Sequence, residues 1–386
     1  MNRKQFIFLL VLVVVIGGTA WWHYRQQTAA WSNAGSAAAG QKLLGNFQIN
    51  DVAAIVIQQG TNVLRLAKND EIWGVTQRHG YPADFSKISQ LLIKLQGLKI
   101  IQTEPVTASQ LPQLDLAAPG PETNSATLLA FYDDAGKPLR TLWLGREHMH
   151  DAGAAADDES WPDGRYVLTD SNATTVAVLS DPLTEVDPQP QAWLDKTFFQ
   201  IADPKSIAVD FSDATNSWKL TRASVTNSWE LADAKPDEHL DDSQASETAD
   251  SFSSPSFSDV LNPQDGDWQD STRVQVNTFD GFQYALTIGA KTNDDNYLKV
   301  KTSFTYPQPR KPGKNETAAQ KAALDKAYAD KVAKLKEKFH QESLFGNWTY
   351  LVPDWTVEPL LKVRSQLLVI KPETTATNTP VAKSKL

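Results

Sequence analysis

Two histidines one residue apart, His148 and His150, are followed by Asp151, Asp157, Asp158 and Glu159. Imidazole nitrogens with carboxylate oxygens suit a divalent ion, and an ion held there would activate water for hydrolysis. The spacing argues for a plainer reading. Residues at i and i+2 of an extended chain point to opposite faces, so the two histidines do not converge on one ion if the strand continues. The run "DAGAAADDES" is small and polar and offers little packing to hold a cage together. A solvated loop is the favoured reading, with a metal-dependent hydrolase as the alternative.

Other chemistry is harder to find. The chain has no G-x-S-x-G elbow, no H-E-x-x-H, no phosphate-binding glycine loop and no dinucleotide fingerprint. It has no cysteine, which excludes disulfides, thiolate catalysis and zinc–cysteine sites. Carboxylate pairs such as Asp133-Asp134 and Asp241-Asp242 fall in a turn and a polar segment, and neither stands out as an acid/base pair. The formal net charge of −9 repels polyanions, so nucleic acid is not an expected partner. No catalytic residue and no cofactor is assigned, and the chain is expected not to be an enzyme.

The loop must be carried by the elements around it. "AAIVIQQGTNVLRLAKNDEIWGV" pairs Ile55/Ile57, Leu64/Leu66 and Trp73/Val75 between turn residues, the pattern of an antiparallel meander. "ADFSKISQLLIKLQGLK" changes period: Phe85, Ile88, Leu91, Leu92, Leu95 and Leu98 make a helical stripe that Asp84 can cap. "ATLLAFYDDAGKPLRTLWLG" and "GRYVLT" return to strands. The same grammar recurs as Ile207/Val209, Trp218/Leu220, Trp229/Leu231, then Val274/Val276, Leu286/Ile288-Gly289 and Tyr297. Between Gly289 and Tyr297 lie seven residues, whereas twenty separate Gly145 from Tyr166, so the ligand-rich stretch is the excess of an enlarged strand connection. The second helix, within "DDSQASETADSFSSPSFSDVL", is polar and Pro-broken.

The N-terminal "MNRKQFIFLLVLVVVIGGTAWWHYRQQ" places Arg3 and Lys4 before an uncharged run from Phe6 to Trp22. Those residues span about 25 Å as a helix, enough for a slightly thinned bilayer core, with Trp21, Trp22 and Tyr24 at the interface. A single-pass anchor with its N-terminus in the cytoplasm is expected, placing the bulk in the periplasm at the bacterial inner membrane. A signal peptide cleaved after Gly18-Thr19-Ala20 is the competing reading.

The expected fold is thus α+β: an N-terminal transmembrane helix, two tandem antiparallel-sheet-plus-helix units and a C-terminal helical/strand segment. The expected boundaries are 1–25 for the cytoplasmic N-terminus and anchor, 26–45 for a flexible tether, and 46–200 and 201–306 for the two units. A charged helix and closing strand/helix segment follow over 307–371, then a disordered tail over 372–386.

Within the closing segment, "ETAAQKAALDKAYADKVAKLKEKFHQ" predicts a helix with Asn315 as a candidate cap. Leu324, Tyr328, Val332, Leu335 and Phe339 form a near-heptad stripe that either lies against its own domain or grips a partner helix. Of the twelve tryptophans, Trp73, Trp218 and Trp229 recur at matching strand positions and read as core. Trp143, Trp161, Trp268, Trp348 and Trp355 include candidates for a sugar-stacking platform.

Several stretches carry a family likeness: "GQKLLGNFQINDVAAIVI", "WGVTQRHGYPADFSKISQLLIKL", "GREHM", "WPDGRYVL", "LSDPLTEVDPQPQAWLDKTFF" and "NWTYLVPDW". With the N-terminal segment, they make the chain resemble the bacterial family catalogued as domain of unknown function 4340. The resemblance implies a membrane-anchored protein with repeated extracytoplasmic units that works beside ABC-transporter subunits like those of gliding motility. It supplies no catalytic residue. The expectation is a non-enzymatic periplasmic accessory protein. An extracytoplasmic glycan- or solute-binding module is the alternative, and whether the chain is monomeric is left open.

Overall fold

The computed structural model describes residues 39–149, 161–169 and 174–369. The expected anchor and the tail lie outside them. Among the described residues no helix is long and apolar enough to cross a membrane. The chain divides into two compact units between Asp195 and Lys196. Each is built on one antiparallel sheet with helices, an α+β fold.

In the first unit the strands are β1 (Ala54–Gln59), β2 (Asn62–Asn69), β3 (Ile72–Val75), β4 (Tyr81–Pro82), β5 (Ile100–Pro105), β6 (Thr127–Tyr132), β7 (Pro138–Met149), β8 (Pro162–Leu168) and β9 (Thr175–Leu179). They lie in the order β4-β3-β2-β1-β6-β7-β8-β9-β5. Helix α1 (Phe85–Gly97) runs between β4 and β5. The second unit has β10 (Pro204–Asp210), β11 (Trp218–Thr221), β12 (Glu230–Leu231), β13 (Asp259–Leu261), β14 (Thr272–Thr278), β15 (Phe282–Thr292), β16 (Asp295–Phe304) and β17 (Thr349–Pro353). Their order is β12-β11-β10-β14-β15-β16-β17-β13, with α2 (Asp242–Asp250) between β12 and β13. Apart from the two-residue β4, the orders match strand for strand.

The match extends to single residues. Ile57 faces Leu129 and Leu129 faces Leu142, as Val209 faces Val274 and Val274 faces Leu286. Alternate positions of these strands are buried, the period-two pattern that the sequence shows. Trp73, Trp218 and Trp229 are buried too. Asp84 caps α1 by accepting from the backbone N–H groups of Ser86 and Lys87 at 2.9 and 3.2 Å. Asp241 caps α2 on Ser243 and Gln244 at the same two distances. Ahead of each cap, a single bridge ties the chain to the unit's last segment: Ala83 to Leu194, and Leu240 to Leu368. Ile88, Leu91 and Leu92 of α1 are buried, and so are their counterparts Ala245, Thr248 and Ala249. The polar second helix survives because it needs only these small inward residues; the chain leaves it after Asp250. Phe85, by contrast, stands off the α1 stripe and is 63% exposed.

Both units bulge at an equivalent glycine. The β7–β8 register shifts between Leu144 and Glu147, and the β15–β16 register between Ile288 and Lys291. A Cβ on Gly145 would run into the Leu114 carbonyl, and one on Gly289 into the Asp267 carbonyl. In each case the segment that precedes β6 or β14 crosses directly over the hairpin, and only glycine leaves it room.

The 307–371 segment is not separate from the second sheet. Strand β17 pairs with both β16 and β13, the place that β9 holds in the first unit. Helix α3 (Ala318–Ser343) is an insertion between β16 and β17. Six residues join β8 to β9, whereas forty-four join β16 to β17.

Candidate functional site

The end of the β7–β8 hairpin carries the sequence's metal candidates. His148 sits opposite Gly164, near the tip. Its Nδ1 lies 2.6 Å from an Asp163 carboxylate oxygen, both side chains being about one-third exposed. Its ring leans on Tyr166 at 5.6 Å. His150, Asp151, Asp157, Asp158 and Glu159 lie outside the described residues. Sequence reasoning overlooked Asp163, which the antiparallel register brings across the hairpin from fifteen residues away. A His–Asp pair orients an imidazole, as a general base or a metal ligand requires. Among the described residues no third His, Asp, Glu or Cys joins it to make a cation site.

The partner-contact candidates belong to α3 and are divided by the structure. Tyr328, Val332, Leu335 and Phe339 are half-buried and Leu324 is 47% exposed. The half-buried set faces the chain that leaves β16. The Tyr328 hydroxyl donates to the carbonyls of Pro307 and Gln308, and the Phe339 ring lies 5.9 Å from Phe304. Arg310 clasps this strap to the helix start, with a two-pronged bond to Glu316 at 2.6 and 2.9 Å and a third to Asp325 at 2.8 Å. The guanidinium holds the Glu316 carboxyl down at about 2. Thr317, rather than Asn315, caps the helix, in a reciprocal box with Gln320. Tyr328 therefore packs on the strap and Phe339 on the end of β16, and the first ten helical residues stay exposed.

At the other end α3 is anchored. Glu342 is only 6% exposed; it accepts from the Tyr284 hydroxyl at 2.7 Å and from the Gln200 N–H at 3.1 Å. Burial raises its pKa above the usual carboxylate value, and burial beside Glu342 raises that of Tyr284. Lys338 donates to the Gln200 carbonyl at 2.9 Å and lies 3.7 Å from Glu342. The insertion is thus a finger: braced by its strap, rooted on one buried carboxylate and open at its tip.

The tryptophans offered for sugar stacking are dispersed. Trp268 lies beside Tyr297 with the Lys299 ammonium 3.9 Å over its ring, and Trp143 and Trp348 are half-buried. Trp161 and Trp355 are 50% and 61% exposed, in different units.

No curated protein and no solved structure matches the chain. A family model described as Domain of unknown function (DUF4340) matches residues 73–277, from β3 of the first unit through β14 of the second. That span is more than half of the 386 residues, and the chain belongs to the DUF4340 family.

Proposed function

We propose that this protein is a non-enzymatic, membrane-anchored periplasmic accessory protein that works by holding partner proteins, among them subunits of an ABC-type transporter. One observation carries the reading. A sheet fold built twice keeps a six-residue connection in one unit and extends a rooted, exposed helix from the same connection in the other. The fold's first copy manages without such a helix, so folding does not require it. Ordering a long insertion costs conformational entropy, which an exposed contact element can recover on binding. Leu324 near the tip, backed by the braced stripe, is the contact we assign. The apolar, Arg-Lys-led N-terminal run supports placement at the inner membrane.

The test is co-purification of the tagged full chain from its host's membranes in mild detergent. Transporter subunits are expected with it, and Leu324→Glu with Ala327→Glu should cut their recovery about tenfold, equivalent to roughly 1.4 kcal/mol. Both positions are exposed, so the fold tolerates the changes. Recovery of the chain alone, under conditions that keep the transporter assembled, would remove the reading.

A further inference from the structure

The internal duplication supplies its own control for which surface residues the fold needs. Trp73 corresponds to Trp229 and the cap Asp84 to Asp241, so Ile72, Phe85 and Ile93 correspond to Ser228, Asp242 and Asp250. In the second unit these positions are polar and exposed. In the first they are large and apolar, yet still 63%, 63% and 60% exposed. The shared architecture tolerates polar residues there, so packing does not explain the three apolar ones.

They flank a notch. Phe85, Ile93 and the buried Leu92 of α1 line one part and Trp73 and Val52 another, enclosing about 250 Å³. An engineered apolar cavity of about 150 Å³ already takes benzene, so a leucine side chain has room. The notch shares Asn50, Val52, Lys68 and Glu71 with a polar hollow of about 720 Å³ rimmed by Asp51, Asp70, Asp133 and Asp134. Glu71 stands on the boundary, its side chain 87% exposed and paired with the Lys68 ammonium at 2.5 Å.

The β2–β3 turn fixes the place of Glu71. Asp70 and Glu71 form the β2–β3 turn with φ of 45° and 70°. Such a turn favours glycine at its second position, and a glutamate there sits in a left-handed conformation that disfavours a Cβ. The turn holds a carboxylate at the lip of an apolar notch.

We infer that this notch and its acidic rim receive the tip of the α3 finger from a second copy of the chain. Charge and shape are complementary. From Pro307 to Ser343 the strap and finger carry nine Lys and Arg against five Asp and Glu, in a chain of net charge −9. Leu324 is the exposed large apolar residue of the finger, with Lys321 one turn before it and Lys331 two turns after, on its side of the helix. A leucine flanked by ammonium groups meets an apolar notch whose rim, Lys68 apart, is acidic. Because notch and tip are different surfaces, the contact is head-to-tail and leaves one copy with a free notch and the other with a free tip. The inference rests on the reading of the finger as a contact element and names its partner.

The absence of native cysteine makes the test direct. Full-length Ile93→Cys and Leu324→Cys chains, each with its own tag, are co-expressed and oxidised in the membrane. The expected product is a mixed dimer, formed at least tenfold faster than either homodimer and suppressed when Glu71→Lys is added to the Ile93→Cys chain. If a bismaleimide joins Leu324→Cys to a transporter subunit and never to a second copy, the inference falls and the accessory reading stands. If Leu324→Cys joins to nothing, both fall.

Discussion

Removing the Glu342 carboxylate tests how the finger is rooted. Glu342→Ala leaves the Gln200 N–H without its acceptor and the Tyr284 hydroxyl with only the Gln200 carbonyl at 3.3 Å. A buried donor left unmade costs about 1–3 kcal/mol, and one of the two keeps a long alternative, so a loss of about 2–3 kcal/mol is expected. Glu342→Gln keeps an acceptor for Gln200 and a polar partner for Tyr284, and it removes a buried charge. The folded-state pKa of Glu342 is raised, so its carboxyl stabilises the fold while protonated. That contribution is complete below the ordinary value of 4.5 and is lost as pH rises through the folded value. Relative to wild type, Glu342→Gln should therefore gain stability as pH rises. Denaturant unfolding at pH 4 and pH 8 measures this, and hydrogen exchange at the Gln200 amide and the last turn of α3 locates it. Equal stability of the Ala and Gln variants, or a Gln variant weaker than wild type by more than about 1 kcal/mol at pH 8, would refute the reasoning.

Four more substitutions probe the scaffold and the notch. Gly145→Ala and Gly289→Ala should each destabilise by about 1–3 kcal/mol, because each meets a crossing carbonyl. Gly97→Ala, in the uncrowded last turn of α1, should instead stabilise by up to about 1 kcal/mol in the same unfolding assay. Glu71→Gly should relieve the left-handed strain and raise stability by about 0.5–1 kcal/mol, yet lower the yield of the mixed cysteine dimer. A variant less stable than wild type would mean that the turn is not strained.

Much of the architecture is written in local patterns. The meander pairs, the Asp84 cap and the correspondence of Leu286 and Ile288 with the first hairpin all depend on periods and turn residues a few positions apart, and the structure has them. Edge strands β5 and β13 carry no such signal. Their partners β9 and β17 lie roughly seventy and ninety residues on, and pairing at that range leaves no periodic trace in "IIQTEP" or "DVL". The forty-four-residue insertion likewise hid the equivalence of β17 with β9, so the sequence placed that strand in a segment of its own. Site residues divide along the same line. His148 was visible by type, whereas Asp163 meets it only through register. Phe85 read as one more inward residue of a stripe, because a spacing does not reveal which side of the first turn of α1 stays exposed.

The far-edge position of β13 governs when the second unit can close. The ribosome must deliver β14 through β17, finger included, before β13 has a neighbour to pair with. Until then α2 has been made but the bridge from Leu240 to Leu368 has not, and half of the unit waits as an open hairpin array. Such long-range closure is slow. A finger whose capping box and arginine clasp are all local can become helical during that delay, so a lengthy insertion need not obstruct the last strand's arrival.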